Sequence, residues 1–160
     1  MVITNVTIVY YECNGLFYPF FGVAYHYKLG DFWEEMKYIE ASDLDARMRE
    51  VVLSLGMDYV DLNRVKCFRS LGSSTKRTIA RCHTIGKLMQ KAIGVQAWYA
   101  IEFLEPFEKL SPTHQDEVII HELMHIPKTF GGGFRHHDFV CERNVKLLNE
   151  RYQNMKKPSI

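Results

Sequence analysis

Ser111-Pro112-Thr113-His114-Gln115-Asp116-Glu117-Val118-Ile119-Ile120-His121-Glu122-Leu123-Met124-His125-Ile126-Pro127 is the stretch from which the rest of the chain is read. Ser111 is placed to cap a helix, and Pro112 fits the first helical position, where a missing N–H costs nothing. The helix is expected to run to about Ile126, since Pro127 cannot donate to the carbonyl of Leu123. His121 and His125 stand four apart, so both imidazoles leave the same face. Two rings so placed can reach one Zn²⁺ at about 2.0–2.1 Å. Glu122 lies beside the first of them and can reach a water on the metal without being a ligand, which suits general acid/base work. At this chain's His and Glu content the pattern His-Glu-x-x-His arises by chance in about one such sequence in fifty. Its apolar setting (Val118, Ile119, Ile120, Leu123, Met124, Ile126) sharpens it, because buried histidines need partners.

A catalytic zinc keeps three protein ligands and one open position. Beyond Pro127 the run Gly131-Gly132-Gly133 lets the chain reverse, which brings His136-His137 back as the source of a third imidazole. His137 is the favoured ligand and His136 the alternative. Arg135 and His136 are candidates to contact substrate or a developing charge. Cys141 is read as packing rather than ligation. Asp138 and Glu142 are possible hydrogen-bond acceptors for the ligand imidazoles, or simply acidic residues that favour a helix start.

Outward from this helix, the 160 residues fit one domain with a sizeable core. A net charge of +1 gives no general argument for a nucleic-acid or membrane partner. The four cysteines form no Cys-x-x-Cys pair, which argues against a zinc ribbon and a dense disulfide framework. Neither a secretory signal nor a spanning segment is read from the chain, so a cytoplasmic location is the expectation.

Val2–Tyr11 alternates like a strand, Asn14-Gly15 reads as a turn, and Leu16–Tyr27 as a strand or loop broken at Pro19. Residues 1–35 are expected to form an aromatic-rich extension packed on the same domain as residues 36–160. Asp31–Ile39 is ambiguous. Ser42–Leu55 reads as a helix with Ser42 as N-cap, its apolar side Leu44, Met48, Val51, Val52 and Leu55, stopped by Gly56. Strands are expected at Tyr59–Phe68, Thr78–Ile85 and Ala97–Leu104, with a short helix at Gly86–Ile93 and a loop over Ser70–Lys76. A last helix, about His137–Asn154, would bury Val140, Val145, Leu147, Leu148 and Tyr152. Arg64, Lys66, Arg69, Lys76, Arg77 and Arg81 collect around the Ser/Gly loop and are read as a solvated face or an anionic contact.

The run from Ile119 to Phe130, with the glycines and His137 behind it, resembles a family of archaeal and phage zinc metallopeptidases related to SprT-like and Wss1-like zincins. Arg64–Ser70 with Gly72-Ser73, Ala80-Arg81 and Tyr99-Ala100-Ile101-Glu102 fit the same pattern, so the likeness covers about Met36 to Asn149. It implies an α+β fold: a minimal zincin-like domain with a small, mainly antiparallel sheet packed on helices and the metal-binding helix near the C-terminus. In that family the position before the last ligand is often Pro, and here it is His136. The expected activity is hydrolysis of peptide bonds in a peptide or protein substrate, with Zn²⁺ on His121, His125 and His137 and Glu122 as acid/base. The alternatives are a metal-stabilised binding module without catalysis and a zinc hydrolase of non-peptide amides.

Overall fold

The computed structural model describes residues 9–13, 16–20, 37–73, 75 and 77–157. The chain divides into two compact units, Met1–Glu34 and Glu35–Ile160. In the first, β1 (Val9–Cys13) pairs antiparallel with β2 (Leu16–Phe20). Pro19 does not break this second strand; it sits inside it, opposite Tyr10. The Asn14-Gly15 turn, the start of the first expected strand and residues 21–36 lie outside the described residues.

The second unit holds a four-stranded sheet, β3 (Lys37–Glu40), β4 (Val65–Leu71), β5 (Ala80–Thr84) and β6 (Tyr99–Leu104), in the order β3-β4-β6-β5. The sheet is mixed: β4 and β6 run parallel at its centre, and β3 and β5 add antiparallel on either side. Among the described residues this unit also holds five helices: α1 (Ser42–Leu55), α2 (Lys87–Ile93), α3 (Glu105–Glu108), α4 (Pro112–Met124) and α5 (Glu142–Lys156). None of the described helices is long and apolar enough to cross a membrane.

Strand alternation explains the layering. Val65 and Cys67 on β4 and Ile101 and Phe103 on β6 are buried in one cluster with Met48 and Val51 of α1 and Ile119 and Leu123 of α4. α4 also buries Ile120, Met124 and two acids, Asp116 and Glu122. Asp116 ties three helices together. Its carboxylate accepts from Arg47 Nε of α1 at 2.6 Å and from Gln153 Nε2 of α5 at 2.8 Å, and Lys156 Nζ lies 3.3 Å away. A buried carboxylate is tolerated when it is paired and hydrogen-bonded in this way.

Several boundaries differ from the sequence reading for local reasons. The residue capping α1 is Ala41, without a side-chain bond, rather than Ser42. Asp45, three residues into the reading, instead accepts from the Cys67 N–H of β4 at 2.8 Å. The strand expected from Tyr59 begins only at Val65, because Asp61 folds the chain by accepting from the Asn63 N–H and from Arg64. That strand then continues through Leu71, into the stretch expected as loop. α3 was not anticipated. α5 starts at Glu142 instead of His137: residues 136–140 form a separate turn closed by the Phe139 and Val140 N–H groups on the His136 carbonyl, and the backbone is extended at Cys141, which caps the helix. Leu147 faces solvent, whereas Val145 and Tyr152 are buried as expected.

Among the described residues, four of the basic side chains around Ser70–Lys76 are paired with acids. Arg64 pairs with Asp61, Lys66 with Asp45, Arg69 with Asp43 and Glu108, and Arg81 with Glu102. Arg77 is exposed, and Lys76 lies outside the described residues.

Candidate metal centre

α4 delivers two of the site's imidazoles. Its start is as the sequence predicts, with the Ser111 hydroxyl accepting from the His114 N–H and Pro112 in the first turn. One helical turn then sets the His121 and His125 Nε2 atoms 3.2 Å apart. Two ligands on a tetrahedral ion at about 2.1 Å would stand roughly 3.4 Å apart, so this spacing fits a shared ion.

The third imidazole comes from His137. One donor atom from each of His121, His125 and His137 lies within 4.8 Å of the others. His136 lines the same cleft but does not join the cluster. Among the described residues the cluster has these three members, and Cys141 is not one of them. Three imidazoles with no fourth protein donor suit a divalent ion that keeps a position for water or substrate.

The return loop is fixed by contacts that no side-chain motif announces. The Tyr99 hydroxyl accepts from the Gly132 N–H and donates to the Gly133 carbonyl, both at 3.0 Å. Gln90 Nε2 donates to the Gly131 carbonyl at 3.2 Å. Gly132 has φ +82°, and a Cβ there would collide with Gln90 Nε2 and the Ile85 carbonyl, so glycine is required twice over. Phe130 also takes a positive φ, 45°, with its ring packed 4.8 Å from that of Tyr99.

Two backbone carbonyls face the ligand rings. His125 Nδ1 is 2.9 Å from the Arg135 carbonyl, an arrangement in which Nδ1–H donates and Nε2 is left as the ligand atom. His137 Nδ1 lies 3.4 Å from the Val140 carbonyl. These carbonyls fill the role considered for Asp138 and Glu142, which are turned elsewhere: Asp138 to the Phe139 N–H and Glu142 to Lys146. The Arg135 side chain, a candidate substrate contact, lies over the Phe139 ring, its guanidinium carbon 3.1 Å from the centroid.

Electrostatics favour neutral ligands. Burial lowers the pKa of His121, and the neighbouring His125 and His137 lower it further. Burial likewise lowers that of His125, opposed by the Arg135 carbonyl. A neutral imidazole is the metal-binding form. Glu122 is 7% exposed. Its burial pushes the carboxyl up to about 7, a backbone hydrogen bond from Cys82 of β5 pulling the other way. A carboxyl poised near neutrality can both accept and return a proton.

A helix with two imidazoles and a buried glutamate, joined by a third imidazole from a return loop, has the donor set of a metal-dependent hydrolase. Residues 36–157 match the family described as "Putative phage metallopeptidase", and the chain belongs to that family. The match begins at Met36, as the resemblance does, and extends past Asn149 to the end of α5. No curated protein and no solved structure matches the chain.

Proposed function

We propose that this protein is a zinc-dependent peptidase that cleaves peptide bonds by attack of water. The carrying observation is the imidazole triad with the buried Glu122 beside it. His121, His125 and His137 would hold the ion. When bound, Zn²⁺ supplies Lewis acidity and lowers the pKa of water toward about 7.

Glu122 takes the proton from the attacking water and hands it to the leaving amine. Its burial beside His121 places the carboxylate where it can reach that water without being a ligand. The Arg135 carbonyl orients the His125 ring, and the Tyr99 hydroxyl steadies the loop that brings in His137. β5 ends the sheet order and lines the cleft through Ala80, Arg81, Cys82 and His83. An extended peptide can add to such an edge by main-chain hydrogen bonds, leaving its carbonyl over the triad.

Three imidazoles among the described residues would leave a bound ion one position open, which weighs against a purely structural metal site, usually closed by four protein ligands. The free thiols Cys67, Cys82 and Cys141 suit a reducing compartment such as the cytoplasm. Kinship with SprT-like and Wss1-like zincins is part of this reading, supported by the His-Glu-x-x-His helix and the following histidine.

The test is metal analysis together with Glu122→Gln. Purified protein is expected to carry about one zinc per chain, and Glu122→Gln to keep the metal while losing proteolysis. Full proteolytic activity in Glu122→Gln would overturn the mechanism.

A further inference from the structure

A second cleft of ≈ 620 Å³ adjoins the triad, and its walls differ in character from those of the metal cleft. Ile79, Leu110, Val118 and Val145 line it, while the metal cleft is lined largely by histidines and arginines. Ile79, Leu110 and Val118 are only partly buried, so they present apolar surface to whatever enters. The two clefts share Ala80, His121 and Glu122. They therefore meet at the residues that would carry the chemistry.

From this junction we propose that the apolar cleft is the specificity pocket, taking a large apolar side chain next to the scissile bond. The proposal rests on the peptidase reading and names its substrate class: peptides bearing Leu, Met or Phe at that position. The volume lies in the range of small-molecule sites, roughly 300–1,000 Å³, and is ample for one large side chain. Charge around the cleft does not compete with this choice: Arg77 and Glu117 bring opposite signs, and Glu142 is paired with Lys146. Against Ile79, Leu110, Val118 and Val145 a charged side chain would lose its hydration without compensation, whereas an apolar one would not.

Two measurements on the full-length, zinc-loaded chain test it. In the first, peptides identical except for Phe, Leu, Gly or Asp at one position are compared by kcat/KM. Phe and Leu are expected to exceed Gly and Asp by roughly 10- to 100-fold. Val118→Glu is expected to bring that ratio close to one; Leu110→Ser serves the same purpose if Val118→Glu does not fold.

The second measurement is fluorescence anisotropy of the same labelled peptides on Glu122→Gln, with and without Val118→Glu, which needs no turnover. Tighter binding of the Phe and Leu peptides, lost with Val118→Glu, supports the pocket even where the wild type cleaves nothing; in that case the peptidase reading alone falls. Cleavage with no preference among the four residues overturns the pocket and leaves the peptidase reading intact. So does a preference unchanged in folded, zinc-bearing Val118→Glu.

Discussion

His125 and Arg135 are bonded to each other twice through groups that leave the arginine side chain out. The Arg135 N–H donates to the His125 carbonyl at 2.8 Å, and the Arg135 carbonyl lies 2.9 Å from His125 Nδ1. The first bond gives a partner to a carbonyl at the end of α4, where helical partners run out. The second fixes the ring. The backbone of one residue thus partners the end of the helix and holds the His125 ring through Nδ1.

This separates two substitutions at one position. Arg135→Ala keeps both backbone groups and is expected to retain zinc close to the wild-type level. Arg135→Pro removes the N–H, and zinc affinity should fall by about 10- to 100-fold, as when other supports of a ligand imidazole are lost. Competition against a chromogenic chelator measures both. Equal affinity in the two variants would show that the backbone pair does not orient His125.

Neighbouring histidines differ as sharply. His137 contributes a donor atom to the cluster and His136 only lines the cleft. His137→Ala is expected to lose most of the bound zinc during dialysis, and His136→Ala to keep it. Metal content per chain decides between them, and the reverse pattern would exchange their roles.

How much of this was legible beforehand follows from the kind of interaction involved. The metal helix was readable because its signals are side chains at fixed spacing: Ser111 and Pro112 at the start, His121 and His125 four apart, Pro127 as a stop. The glycine reversal was readable because only glycine fits at Gly132. The acceptors at the ligand rings were not, since the carbonyls of Arg135 and Val140 leave no trace in residue type. Asp138 and Glu142 drew attention because they are acidic, yet an adjacent amide and Lys146 take them. The late start of α5 has the same origin: the turn on the His136 carbonyl and the extended backbone at Cys141 are main-chain features that periodicity does not reveal. Tyr99 read as an apolar strand residue, while its hydroxyl joins the strand to the return loop.

Tyr99→Phe isolates that hydroxyl. The ring still packs on Phe130, but the Gly132 N–H and the Gly133 carbonyl lose their partner. A cost of about 1–3 kcal/mol in thermal or denaturant unfolding is expected from leaving such groups unpaired. Zinc affinity should fall as well, because the same loop carries His137. Unchanged affinity with reduced stability would mean that the loop reaches the metal without Tyr99.

Acid should weaken a contact far from the metal. The hydrogen bond from Arg69 holds the Asp43 carboxyl down at about 2, against an ordinary value of 3.8. A depressed folded-state pKa contributes stability that is present above the unfolded value and lost as pH falls from about 4 toward about 2. Asp43 is 63% exposed at its side chain, so solvent screening limits the effect to about 0.5–1 kcal/mol. Asp43→Asn should be less stable than the wild type by that amount at pH 6, with the difference shrinking toward pH 2. A gap that stays constant over this range would exclude the ion pair as its source.

The largest expected loss of stability lies at Asp116. Its side chain is 2% exposed and meets Arg47, Gln153 and Lys156 from two other helices. Removing one partner of a buried pair is costly because the other charge is left uncompensated. Here Arg47 and Lys156 keep some solvent contact, at 21% and 38% exposure, which moderates the penalty. Asp116→Ala is expected to destabilise the fold by roughly 3 kcal/mol. Asp116→Asn keeps the volume and one acceptor oxygen, so it should cost less. Urea unfolding of the three proteins at one pH gives the order: wild type, then Asn, then Ala. If Ala matches the wild type, the carboxylate is not what joins α1, α4 and α5, and apolar packing of Met48, Ile119 and Tyr152 holds the helices together without it.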